Sequence, residues 1–119
     1  FIIDMNTITN TDIKRVKANK SLVDHLKNPD FFDVKKFPIA KLEITSVKYY
    51  ESNNARFYAN LTIKGITKPI QFYSKLNYSN KTMVTRFKID RQEWNITYQN
   101  KFKNSAISDA IGFEVTVKL

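Results

Sequence analysis

The 119-residue chain has no cysteine, two glycines, three prolines and a single histidine. Without cysteine there is no thiol nucleophile, no disulfide and no Cys-based zinc or iron–sulfur site. Disulfide-free chains occur on both sides of the bacterial inner membrane, so this absence does not choose a compartment. Glycine only at Gly65 and Gly112 excludes a glycine-rich phosphate loop, and so few glycines and prolines exclude collagen-like and low-complexity classes. Charged or polar residues interrupt every apolar segment well short of the roughly 18 residues a membrane-spanning helix needs. One histidine and scattered carboxylates make no metal constellation. Asp24-His25 could pair as base and orienter, but no nucleophile motif accompanies them, so no catalytic residue and no cofactor are assigned.

The chain does have enough apolar material, 42% hydrophobic and 13% aromatic, for one core, and it is read as one domain. Twenty Lys and Arg against eleven Asp and Glu give a formal charge of +9, which attracts polyanions without choosing among nucleic acid, anionic lipid or a phosphorylated ligand.

The dominant pattern is alternation with period two, which marks strands with one buried face. Ala40, Leu42, Ile44 and Ser46 fall on one side. Phe57, Ala59, Leu61 and Ile63 follow after the turn residues Ser52-Asn53-Asn54, then Ile70, Phe72 and Leu76, then Met83, Thr85, Phe87 and Ile89. A last strand from Ile111 to Leu119 puts Ile111, Phe113, Val115, Val117 and Leu119 on one face. The chain also begins within a strand, Phe1-Ile2-Ile3.

Antiparallel partners share a constant index sum, which allows the register to be tested. A type II′ turn at Gly65-Ile66 pairs Ala59 with Phe72, Leu61 with Ile70 and Tyr58 with Tyr73. A turn at Ser79-Asn80 pairs Phe72 with Phe87, Leu76 with Met83 and Tyr73 with Arg86. Apolar residues then meet on one face, and an aromatic and cation–π ladder lies on the other. Helical spacing is confined to Ser21 through Asn28, with Ser21 as cap and Asn28-Pro29 as stop; Asp30 is expected to cap a second short helical turn through Val34. The fold expected is mainly β, a closed or nearly closed antiparallel barrel with one or two short helices capping one end. Asn100 to Asp109 is the one candidate for a long loop.

The basic residues Lys14, Arg15, Lys17 and Lys20 precede the expected helix, and Lys35, Lys36, Lys64, Lys68, Arg86, Lys88 and Arg91 are placed on turns or outward positions. Binding of single-stranded nucleic acid would require outward aromatics, and only Tyr58 and Tyr73 qualify. Phe57, Phe72, Phe87 and Phe113 point inward, where they either fill a core or line a cavity for an apolar ligand.

Four segments carry a resemblance. His25-Leu26-Lys27-Asn28-Pro29-Asp30-Phe31-Phe32-Asp33-Val34-Lys35-Lys36-Phe37-Pro38 resembles the HL-x-x-x-DFFDV-x-x-(Y/F)P signature of the YceI-like, polyisoprenoid-binding, lipocalin-like family. Leu61 through Ile70 resembles that family's LT-x-x-G-(V/I)-T-K-P-(V/I) hairpin, and Phe87 through Ile96 its F-x-(I/L)-(N/D)-R-x-(D/E)-(F/W)-(G/N)-(I/L) segment. Ile107 through Leu119 is similar to its closing strand. The resemblance runs the length of the chain in the right order. Two features differ: the family's two long initial strands have no counterpart before Phe1, and a loop that often carries DPWG is reduced to Ser79-Asn80-Lys81.

The resemblance implies a single barrel domain over residues 1–119, incomplete at its N-terminus. It implies non-catalytic binding, storage or transport of a long isoprenoid or similar amphiphilic lipid, in the periplasm or another extracytoplasmic space. The residues expected to line the ligand are Ala40, Leu42, Ile44, Phe57, Ala59, Leu61, Ile70, Phe72, Leu76, Met83, Phe87, Ile89, Phe113 and Val115. An anionic headgroup or membrane surface is the expected polar partner, no nucleic-acid partner is expected, and a homodimer could complete the barrel. The competing readings are a basic barrel for single-stranded nucleic acid and a structural or stress-response barrel with a filled core.

Overall fold

A computed structural model of the chain describes residues 1–97 and 108–118. Six strands form one antiparallel sheet in sequence order: β1 (Ile2–Asp4), β2 (Ile39–Tyr50), β3 (Asn54–Ile63), β4 (Ile66–Asn77), β5 (Thr82–Asp90) and β6 (Ala110–Lys118). The sheet curls into a half-barrel with β1 and β6 as its edges, so the expected closure is not present among the described residues. Most of the expected long loop, and Leu119 of the expected last strand, lie outside the described residues.

The inward faces follow the alternation almost everywhere. Ala55, Phe57, Ala59, Leu61 and Ile63 are all buried along β3. The exception is β2, where the ladder runs Ile44 to Ala59 and then Ser46 to Tyr58, leaving Thr45 as the extra residue of a β-bulge. Its hydroxyl donates to the Tyr58 carbonyl at 3.0 Å. The bulge reverses the alternation, so Ser46 faces out and Val47, opposite Phe57, faces in, contrary to the expected inward Ser46.

The β3–β4 turn is also corrected. Its central residues are Lys64 and Gly65, both left-handed at φ +52° and +75°, which is a type I′ pattern closing on Ile63 and Ile66. The index sum therefore drops by two, which keeps every residue on its expected face but changes its partner. Phe57 meets Phe72, Ala59 meets Ile70, and Tyr73 meets Arg56 where Tyr58 was expected. The cation–π contact forms between Arg56 and Tyr73, at 4.5 Å, and Arg86 instead pairs with Glu114 at 3.0 Å. The β4–β5 ladder has the expected Leu76–Met83 pair. It ends at Ser74–Thr85, where the Thr85 hydroxyl donates to the Tyr73 carbonyl at 2.6 Å.

The single α-helix among the described residues, α1 (Val16–Lys27), starts five residues before the expected Ser21. Arg15 precedes it without a side-chain cap, and the start is fixed by Asn19, whose amide donates to the carbonyls of Asn10 and Ile13 at 2.7 and 2.9 Å. It stops at Asn28, which is extended because Pro29 follows. The expected second helical turn is absent. Residues 28–37 instead form a chain of hydrogen-bonded turns in which Phe32 and Val34 donate back to the carbonyls of Leu26 and Lys27. These turns bury Phe31 and Val34 against the sheet.

A short 3₁₀ helix, Arg91–Trp94, seals the end of the half-barrel beyond the β4–β5 ladder. Trp94 is buried and donates its indole N–H to the Leu61 carbonyl at 3.0 Å. Arg91, expected on an outward position, is fully buried. Its guanidinium donates to the carbonyls of Ile96 at 2.6 Å and Ser108 at 3.0 Å, and reaches Asp109 at 3.5 Å. Burying a charge requires this many acceptors, because each unpaired N–H would carry a desolvation cost.

Candidate functional site

One end of the half-barrel is solid and the other is open, and the sequence dictates the difference. Trp94, Ile96, Leu61 and Ile63 fill the sealed end with large side chains. Toward the other end the inward positions include Ile44 and Val47 on β2, Met83 and Thr85 on β5 and Val115 and Val117 on β6, and no further element covers them among the described residues.

The result is an apolar trough along the concave face. One lobe, of about 380 Å³, runs between the two edges of the sheet and is lined by Phe1, Ile3, Leu42, Ile44, Leu61, Phe72, Met83, Phe87, Phe113, Val115 and Val117. A second lobe, of about 500 Å³, reaches the open end past Tyr49, Phe57, Leu76, Tyr78 and Lys81. Phe1, Ile44, Met83 and Val117 line both, so the lobes are parts of one trough.

Its wall is a ladder of rings. Phe57, Phe72, Phe87 and Phe113 come from four successive strands and stack with centroid separations of 5.5, 4.9 and 4.9 Å and interplanar angles of 7°, 17° and 4°. Cross-strand neighbours on one face lie at the spacing where rings make contact, so four phenylalanines at matched positions produce a continuous apolar strip.

Of the residues expected to line a ligand, Leu42, Ile44, Phe57, Leu61, Phe72, Leu76, Met83, Phe87, Phe113 and Val115 lie on the trough wall. Ala40, Ala59, Ile70 and Ile89 do not: Ala40, Ala59 and Ile89 are buried in the core, and Ile70 is half-buried against it. Tyr49, Tyr78, Lys81 and Val117 are lining residues absent from the expected set. Tyr49 turns inward only because of the bulge at Thr45; the signal was the switch to odd positions at Val47 and Tyr49.

Among the described residues no carboxylate lines either lobe, and the charged side chains there are Lys81 and Lys118, at the open end. Ser74, opposite Ala55 and Thr85, contributes an inward hydroxyl that is buried and has no hydrogen-bond partner. A wider depression, of about 840 Å³, crosses the outer face past Tyr50, Arg56, Tyr73 and Arg86. Arg56 lies on Tyr73, with its Nε buried and without a partner among the described residues, and neighbouring Tyr58 raises its guanidinium above the ordinary value; Arg86 holds Glu114. Asp24, next to His25, is tied to Lys20 at 2.8 Å, and that carboxylate raises the lysine above its ordinary value. Among the described residues no three His, Asp or Glu side chains converge as metal ligands.

An apolar trough with lysines at its mouth can take up a greasy chain and leave a polar head outside. The comparisons agree on the architecture. The chain is similar to UPF0312 proteins of Pseudomonas putida, 42% identical over 57 residues, which is 48% of this chain and 30% of that relative. A relative from Pseudomonas aeruginosa is 37% identical over 73 residues, 55% of this chain and 38% of the relative, so the chain matches well under half the length of these proteins. Among solved structures, the Campylobacter jejuni YCEI protein superposes with a TM-score of 0.78 at 20% identity, covering 99% of this chain and 68% of that one. Burkholderia cenocepacia BcnA superposes with a TM-score of 0.72 at 21% identity, covering 83% and 65%. The family model for the YceI-like domain matches residues 1–119, and the chain belongs to the YceI-like family.

Proposed function

We propose that the protein binds a long isoprenoid or similar amphiphilic lipid, with the apolar chain in the trough and the polar head at the open end, for storage or transport and without covalent chemistry. The observation that carries this reading is the continuous apolar strip of Phe57, Phe72, Phe87 and Phe113 beneath about 380 and 500 Å³ of open space. Each ligand methylene moved from water onto such a surface contributes about 0.8 kcal/mol, so a chain of isoprene units binds well without a charged partner. Open space of this kind favours a ligand site over a filled structural core. An extracytoplasmic location fits the family and a ligand drawn from a membrane.

Native mass spectrometry of detergent-free protein, followed by organic extraction, tests the reading. A retained apolar adduct, or uptake of added farnesol, is the expected result. Protein that carries no adduct and takes up no farnesol would overturn it.

A further inference from the structure

The two ends of the half-barrel differ in chemistry as well as in packing. At the open end the β2–β3 and β4–β5 turns are held side by side, with the Leu76 amide donating to the Asn53 carbonyl at 2.8 Å. Two tyrosines stand there almost bare, Tyr49 at 69% and Tyr78 at 65% exposure, although both also line the trough. Lys75 and Lys81 sit on the same turn-bearing segments, and Lys118 is brought to this end by its pairing with Thr82. The nearest carboxylate in the two turns is Glu51, and it is the only one in them. The sealed end, by contrast, mixes both signs, with Asp30, Asp33, Asp90, Glu93 and Asp109 among its lysines.

Exposed tyrosines beside lysines are the side chains that settle at a bilayer–water boundary: the ring enters the headgroup layer while the ammonium stays among anionic phosphates. We propose that this rim is a docking surface for an anionic lipid bilayer, seating the mouth of the trough on the membrane so that a lipid can pass between bilayer and trough. The passage of lipid rests on the function proposed above; the docking itself rests on the rim alone. The committed partner is the bilayer surface, because Lys81 and Lys118 border an apolar opening, with Lys75 on the outer side of the same β4–β5 segment, and they are not gathered into a pocket shaped for a single headgroup.

The test is flotation of the purified protein with vesicles of phosphatidylcholine alone or mixed with phosphatidylglycerol. Wild-type protein should bind the anionic vesicles at least tenfold better than the neutral ones, and lose that preference in high salt. Each lysine facing an anionic surface contributes about fivefold, so Lys75→Gln with Lys81→Asn should weaken binding roughly 25-fold. Tyr49→Ser with Tyr78→Ser should weaken it roughly tenfold, and these exposed positions leave the fold intact by circular dichroism. Lys14→Gln with Lys17→Gln removes the same charge from the segment around the start of α1 and should cost no more than about twofold. Equal binding to both vesicle types, or equal loss from the rim and α1 variants, would overturn the docking surface. Farnesol uptake in vesicle-free solution separates the two claims: Lys75→Gln, at a position that lines neither lobe of the trough, should retain it, and its absence in the wild type would refute the trough reading while leaving the docking result to stand on the flotation data.

Discussion

Replacing Val117 by tryptophan distinguishes an open trough from a core that is merely loosely drawn. Val117 is half-buried on the edge strand β6, opposite Met83, and lines both lobes, so an indole there projects into the place where they join. In a filled core, added bulk forces neighbours off their rotamers and costs about 1–3 kcal/mol. In an open trough the ring occupies solvent-filled space and covers Ile44 and Phe1, so the change in unfolding free energy should stay within about 1 kcal/mol of zero. The ligand takes the loss instead. An indole in place of an isopropyl group displaces about four methylenes of a bound chain, worth about 3 kcal/mol at 0.8 each, or roughly a hundredfold in affinity. Urea denaturation gives the first quantity and titration with farnesol the second. A variant destabilised by more than about 2 kcal/mol, or one that binds farnesol as tightly as the wild type, would refute the reasoning. The same substitution at Ala59 would not discriminate, because Ala59 is 2% exposed and lies in the core away from the wall.

Other substitutions test the frame that holds the trough. Gly65→Ala should destabilise by about 2 kcal/mol in thermal or urea melts, because alanine is strained at φ +75° and its Cβ would lie 2.8 Å from the Phe37 ring; an unchanged midpoint would contradict the turn. Arg91→Ala should cost about 3–5 kcal/mol, since it strands the buried carbonyl of Ile96 and removes the link to Ser108; a loss below about 1 kcal/mol in the same melts would show that the guanidinium is not structural. Ser74→Ala should be neutral or stabilising by up to about 1 kcal/mol, because the hydroxyl it removes is buried without a partner, and clear destabilisation would reveal a bond that the structure does not contain. Because β1 and β6 are unpaired edges among the described residues, the chain should self-associate with rising concentration in sedimentation velocity, and an inward charge, Val115→Lys, should suppress this; a concentration-independent monomer would argue against edge pairing.

The face each residue occupies was legible because a strand has a period of two and burial selects one parity. Phe57, Leu61, Phe72, Phe87 and Phe113 needed nothing more, and the ring ladder survived even though the β3–β4 register was misplaced by two, since a shift of two preserves parity. The features that were not legible are those in which a local rule is overridden by tertiary structure. Lys64 has no intrinsic preference for φ +52°, so Gly65 alone did not reveal which turn closes the hairpin. Arg91 has the composition of a surface residue, and only the carbonyls of Ile96 and Ser108, assembled by the fold, make its burial affordable. Helix α1 starts without a capping side chain, so no N-cap signal marked it, and the contacts of Asn19 that fix its start come from the preceding loop. The bulge at Thr45 left a trace, the switch from even to odd apolar positions, that a reading by fixed parity passes over.

Two of these overrides, the Lys64–Gly65 turn and the burial of Arg91, share a location that bears on function. The Lys64–Gly65 turn, Trp94 and Arg91 all gather at the sealed end, where Lys64 also reaches the carbonyls of Pro29 at 3.0 Å and Asn95 at 3.5 Å. Most of the long-range polar contacts that tie loop to sheet lie there, and the buried indole and guanidinium make that end the one most costly to open. The open end is held by the β-ladders and by short turn contacts such as Leu76 to Asn53. A binding site needs walls that can part around a chain of variable length, and local opening is cheapest where few buried groups depend on one another. Concentrating the buried polar network at one end therefore leaves the other free to open, as the proposed lipid uptake requires. It also fixes the order in which hydrogen exchange should proceed, with amides near Tyr78 and Val117 exchanging well before those near Leu61 and Trp94.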